Sequence, residues 1–174
     1  AVHTVSCPPG GCDPYDRVTH VEVKDLSGNW IEIYRYITPF GVGCNDQIDV
    51  TDYASLLQGE VDVRYHAIVW DKGININIRF DFTAGTPEYL YSSVIPIWRG
   101  EYSFGNMNNL QPVPPAFLSF AEDVQAAHLK VITSGHNWGQ NNTGNAAEFY
   151  HAIHYIKVND QRTHTQDLWS VCNP

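Results

Sequence analysis

The chain has 174 residues, with 10 Lys+Arg against 19 Asp+Glu, for a formal net charge of −9. That acidity repels polyanions and so excludes nucleic acid and anionic membrane surfaces as expected partners, and no apolar run approaches the ~18 residues of a membrane-spanning helix. Apolar residues at 43% and aromatics at 13% supply a core and exclude a disordered chain, while only 17% charged residues suit a turn-rich secreted β protein.

In chain order, the start Ala1-Val2-His3-Thr4 has no basic n-region or apolar h-region and reads as a mature or processed N-terminus. Cys7-Pro8-Pro9-Gly10-Gly11-Cys12 forms a tight loop that can close on itself. The four cysteines, Cys7, Cys12, Cys44 and Cys172, allow three pairings; closing the loop leaves Cys44 for Cys172, a long-range clamp of the kind found in oxidising compartments. A zinc site is the rival, weakened because no Cys-x-x-Cys pair occurs. Next, Asp13-Pro14-Tyr15-Asp16-Arg17 sets two acids and a cation beside the loop, where a neighbouring cation can tune a carboxyl's pKa. Turn-forming Asp residues in an ordinary loop are the bland alternative.

Strand patterns follow. Val21-Glu22-Val23-Lys24, residues 31–37, Val61-Asp62-Val63-Arg64-Tyr65 and residues 74–82 alternate apolar and polar with period two, the signature of antiparallel strands with one wet face. Weaker matches cover 129–133 and 149–158. Turns are expected at Ser27-Gly28-Asn29, Asp71-Lys72-Gly73, Gly85-Thr86-Pro87, 141–145 and Asn159-Asp160. Residues 51–58 alone look helical, with Asp52 as the expected cap. Strands and turns at about ten-residue spacing predict an all-β sandwich. The Asn-, Gly- and Pro-rich stretch between 100 and 127 reads as a linker between two sheet systems, a first region, 1–105, and a second, 106–174, or as a long crossover loop.

The loop 134–150 is rich in Asn, Gly, His and Trp and leads into Ala147-Glu148-Phe149. Aromatic faces and amides suit a neutral sugar; a plain surface loop is the alternative. Among eight histidines, His151 and His154 lie three apart, which on a strand sends them to opposite faces and prevents joint chelation. A copper monooxygenase built on paired jelly rolls needs His-x-His and Met ligands, yet no His-x-His occurs and Met107 is the single Met.

Taken together and in order, the loop 7–12 with residues 13–17, Trp30-Ile31-Glu32-Ile33, residues 36–40, 48–57, 85–92, Ser134-Gly135 and 147–149 resemble the peptide-N-glycosidase F family of secreted bacterial amidases. The resemblance implies two adjacent jelly rolls with a cleft between them. It implies hydrolysis of the asparagine–N-acetylglucosamine amide of N-glycosylated proteins or glycopeptides, by a secreted or periplasmic monomer with no metal and no other cofactor. Asp16 matches the principal catalytic acid and Glu148 a second essential acid. Arg17 and Trp70 match residues that contact the core sugars, Tyr15 stands where the family has Trp, and His136 and Trp138 fall in the loop lining the cleft. Three departures stand out. Ile68 occupies the position of a third important acid, Ala146 and Tyr150 replace a cysteine pair around the Glu, and about nine strand patterns stand where two closed jelly rolls need about sixteen. A glycan-binding module without catalysis is therefore the second expectation.

Overall fold

The computed structural model describes residues 1–89, 91–103, 108–135 and 151–169. Two compact units emerge, Ala1–Pro96 and Ile97–Pro174.

The first unit is an open antiparallel sandwich of two three-stranded sheets. Strands β1 (Val2–Ser6), β4 (Cys44–Gln47) and β6 (Asn75–Arg79) form one sheet in the order β4-β1-β6; β2 (Val18–Lys24), β3 (Trp30–Ile37) and β5 (Val63–Ala67) form the other in the order β3-β2-β5. Period-two alternation decides which faces meet. Thr19, Val21 and Val23 of β2 point inward with their cross-strand neighbours Tyr34 and Ile31, while His20, Glu22 and Lys24 take the opposite face. A register shift at Val21/Glu22 marks a bulge. The core joins Val21, Val23, Ile33 and Tyr34 to Val50 and Tyr53, with Ile78 and Phe80 packed against it. Each large apolar side chain buried there contributes about 1.5–3 kcal/mol.

Glu22 is buried on the outward face, where Arg64 of β5 pairs with it and itself lies over Trp30, 4.3 Å from the ring centre. A buried carboxylate needs such a partner. Across the sandwich, His3 is fully buried among Tyr34, Tyr36 and Tyr65, with ring centres 4.8–5.7 Å away. Desolvation lowers the pKa of His3, and Asp46 opposes the shift.

The alternating run 74–82 is paired only over Asn75–Arg79, because its antiparallel partner β1 begins at Val2, opposite Arg79, and ends at Ser6, opposite Asn75. The helical stretch is a 3₁₀ turn, Thr51–Leu56, and its cap differs from expectation. Asp52 lies within the first turn and the N-cap is Val50, with no side-chain cap; just ahead of it Asp49 Oδ1 accepts from Thr51 N at 2.9 Å and Thr51 Oγ1 at 2.6 Å. The turn after β2 is tied by Asp25, whose carboxylate accepts from Ser27 N and Asn29 N, and Gly28 takes a φ of 87° that a side chain would resist.

In the second unit, β7 (Ile153–Val158) and β8 (Gln161–Asp167) form an antiparallel hairpin joined by Asn159-Asp160. Both turn residues have positive φ, 52° and 63°, as a primed two-residue turn requires. Residues 129–133 are not a strand: β7 and β8 pair only with each other, so no described ladder takes them in. No helix among the described residues is long and apolar enough to cross a membrane.

Candidate functional site

The Cys7–Cys12 disulfide closes the loop that introduces the acid–arginine segment. Gly10 and Gly11, at φ 101° and 100°, let the chain double back between the two cysteines, and Gly11 N donates to Pro8 O at 3.0 Å. Beyond the loop the backbone is anchored at both ends. Asp13 O accepts from Gly41 N, Arg17 N donates to Thr38 Oγ1 at 2.8 Å, and Thr38 N donates back to Arg17 O at 3.0 Å. The segment 13–17 is thereby held against residues 38–41.

Asp13 is the most enclosed group here, only 1% exposed. Its Oδ1 accepts from Tyr15 N at 3.0 Å and lies 2.8 Å from Arg17 Nη2; its Oδ2 accepts from Trp70 N at 3.0 Å and Asp71 N at 3.4 Å. Burial by itself would raise this carboxyl's pKa. The Arg17 guanidinium and the amides of Trp70, Tyr15 and Asp71 outweigh that and hold it well below the usual carboxylate range.

Arg17, 9% exposed, lies between two aromatic rings, 5.2 Å from the Tyr15 centroid and 4.7 Å from that of Trp70. Its approach to Asp13 is an ion pair without an aligned N–H, and its Nε has no hydrogen-bond acceptor among the described residues. The rings beside it face outward, Tyr15 at 57% and Trp70 at 80% exposed. Lys72 Nζ donates to Gly10 O at 2.7 Å and fastens the Trp70 loop to the disulfide loop. Asp16, half-buried, sits between Tyr15 and Arg17 in this anchored segment. Chemically the assembly offers a carboxylate, a buried cation and two exposed aromatic faces, which together suit a polar ligand with apolar CH faces.

Of the residues singled out from sequence, Tyr15, Arg17 and Trp70 form one surface, with Asp16 in the same five-residue segment. Glu148, His136, Trp138 and Cys172 lie outside the described residues. Cys7 and Cys12 are joined as expected; Cys44 is a free thiol beside the Tyr36 hydroxyl. Ile68 is 58% exposed. His151 lies ahead of β7, with Nε2 2.9 Å from Asp167 and its ring stacked on Trp169 at 4.9 Å. No group of three or more possible metal ligands occurs among the described residues. Sequence reasoning missed the centrality of Asp13; the only local signal was its position directly after the closed cysteine loop.

The fold and this surface define a class: an open antiparallel β-sandwich with a disulfide-pinned acid–arginine segment between exposed aromatics. No family model matches the chain. Its sequence is similar to the peptide-N(4)-(N-acetyl-beta-D-glucosaminyl)asparagine amidase F of Elizabethkingia miricola, 32% identical over 180 residues that cover 93% of this chain and 50% of the relative. Among solved structures it resembles recombinant peptide:N-glycanase F, with a TM-score of 0.57 at 25% identity, covering 97% of this chain and 60% of that one. A second resemblance is to the PNGase F of Flavobacterium meningosepticum, described as a glycosylasparaginase, with a TM-score of 0.56 at 25% identity over 96% and 59% of the two chains. The likeness to peptide-N-glycosidase F thus holds in sequence and in fold across nearly all of this chain. The chain spans about half the length of the curated relative it matches.

Proposed function

We propose that this chain carries the acid–arginine half of an N-glycan amidase site, hydrolysing the bond between an asparagine side chain and N-acetylglucosamine. The observation that supports this best is the Asp16-Arg17 pair, anchored by the disulfide loop and Thr38 and set beside the exposed faces of Tyr15 and Trp70. Amides are poor electrophiles, so the attacking water needs a base and the departing nitrogen a proton. Asp16 takes that acid/base role. Water adds to the amide carbonyl, the C–N bond breaks, aspartate remains on the peptide and the sugar leaves as a glycosylamine.

Arg17 serves the sugar or the charge that develops on the carbonyl oxygen, as a fixed cation beside the exposed Tyr15 and Trp70 rings. Tyr15 and Trp70 stack on the sugar faces. Glu148 holds substrate through a water, and His136 and Trp138 extend the binding surface. The chemistry calls for no metal. The Cys7–Cys12 disulfide agrees with a secreted or periplasmic location, and the substrates are N-glycosylated proteins or glycopeptides met by a monomer.

The test is Asp16→Asn on a glycopeptide, with released glycan and the Asn-to-Asp conversion followed by mass spectrometry. Loss of a general acid/base costs about a hundredfold or more in rate. A folded Asp16→Asn variant turning over at the unaltered rate removes Asp16 from the mechanism. The second reading, glycan binding without cleavage, is favoured by one observation: exposed Ile68 stands where the family has an acid. Under that reading the unaltered chain binds chitobiose or high-mannose glycans and releases no product.

A further inference from the structure

Asp13 has a role that the reaction itself does not require. Its two oxygens serve two different parts of the chain. Oδ1 faces the turn, through Tyr15 N and Arg17 Nη2, and Oδ2 faces the loop 57 residues further on, through Trp70 N. The same backbone unit is pinned through its carbonyl by Gly41 N.

We infer that Asp13 is a positioning residue whose carboxylate ties the Trp70 loop to the Tyr15–Arg17 turn and so fixes the aromatic–cation surface on which the sugar core rests. The inference deepens the proposed function and, for its ligand, rests on that reading. It assigns each ring a distinct dependence: Trp70 is placed through its backbone by Oδ2, while Tyr15 and Arg17 are placed by Oδ1. An amide cannot replace this carboxylate. Asparagine offers one acceptor oxygen and one donor NH2, so it can satisfy one of the two sets and must turn donors towards the other. Either the Trp70 loop or the Tyr15–Arg17 turn loses its tie to Asp13.

The experiment uses the full chain, chitobiose as probe, and Asp13→Asn. Because the protein has five tryptophans, Trp70 is read as the difference in emission between each protein and its Trp70→Phe counterpart. The expected result is chitobiose affinity weakened about tenfold or more, as when supporting-shell partners are removed from other sites, together with a shifted Trp70 emission. Adding Arg17→Ala to Asp13→Asn should cost little more than either change alone, because both act on one unit. Affinity within twofold of the unaltered chain together with unchanged Trp70 emission overturns the inference.

If the unaltered chain does not bind chitobiose, the glycan reading fails and Trp70 emission alone decides on Asp13: a shift in Asp13→Asn upholds the positioning role, and no shift overturns it. If Asp13→Asn does not fold, amide hydrogen exchange in the unaltered chain decides. Slowed exchange at Trp70 N and Asp71 N is expected, and exchange at free-peptide rates overturns the role.

Discussion

The two units differ in how they hold themselves together. Among the described residues of Ala1–Pro96, nine hydrophobic side chains are buried, from Val5 to Tyr53, most of them on the strands of the two sheets. In Ile97–Pro174, no described residue is buried, yet β7 and β8 pair from Ile153↔Asp167 to Val158↔Gln161, with a register shift at Ile156/Lys157. The contrast separates two ways of making β structure. The pairing of a hairpin is directed locally by a turn that sends the chain back, and Asn159-Asp160 supplies it. A sandwich needs side chains far apart in sequence to remove one another from water, and that supplies most of the free energy.

The sharpest way to break this contrast is to cut one apolar side chain in each unit. Ile33→Ala removes a fully buried side chain from β3 and should destabilise the first unit by about 2–5 kcal/mol. Ile153→Ala, on a half-exposed strand end, should change stability by no more than about 0.5 kcal/mol. Urea unfolding followed by far-UV circular dichroism measures both. Equal losses would mean that the second unit rests on a core as demanding as the first.

Acid provides the next contrast, because among the described residues only the first unit buries a histidine, His3. His3 faces Tyr34 and Tyr36 of β3 and Tyr65 of β5, with Asp46 and Cys44 on the neighbouring β4. Its pKa is lowered in the folded state, so the unfolded chain binds the proton more readily. Stability from a neutral His3 is therefore complete above the unfolded pKa of about 6.5 and falls as pH drops below it. His3→Phe keeps a ring in the site and removes the proton. The urea midpoint of the unaltered chain should decline between about pH 7.5 and 5.5, and that decline should be shallower in His3→Phe. Parallel curves for the two proteins would show that His3 carries none of the acid sensitivity.

Much of the first unit was legible because alternation is a local signal. β2, β3, β5 and β6 each carry apolar residues on one face and polar residues on the other. β1 and β4 were not legible. β1 places a histidine on its core side, and β4 is Cys-Asn-Asp-Gln, polar throughout and half-open to water as an edge strand. Their status as strands comes from pairing, Val2↔Gln47 on one side and Val2↔Arg79 on the other, which no window of sequence contains. The candidate site divides in the same way. The closed cysteine loop and the acid–arginine segment could be read directly from neighbouring residues. The burial of Asp13, and the arrival of Trp70 over Arg17, depend on a contact made 57 residues away.

The smallest expected effect sits in the hairpin turn and sharpens the point about local structure. Asp160 holds φ at 63°, a left-handed conformation that an Asp tolerates and a Gly adopts freely. Asn-Gly is the pair that two-residue turns of this kind favour most. Asp160→Gly should therefore tighten the hairpin by a few tenths of a kcal/mol, about 0.3–1, with the gain in the relieved backbone partly offset by glycine's greater freedom when unfolded. Amide exchange at Tyr155, Ile156 and Lys157 reads the change, since these residues lie in β7 across from Thr165, His164 and Arg162. Slower exchange there, with exchange in β2 and β3 unaltered, would show that the hairpin's stability is set at its turn and independently of the sandwich core. If exchange slows equally in both units, the two are energetically coupled and the separation between local and long-range stabilisation must be abandoned.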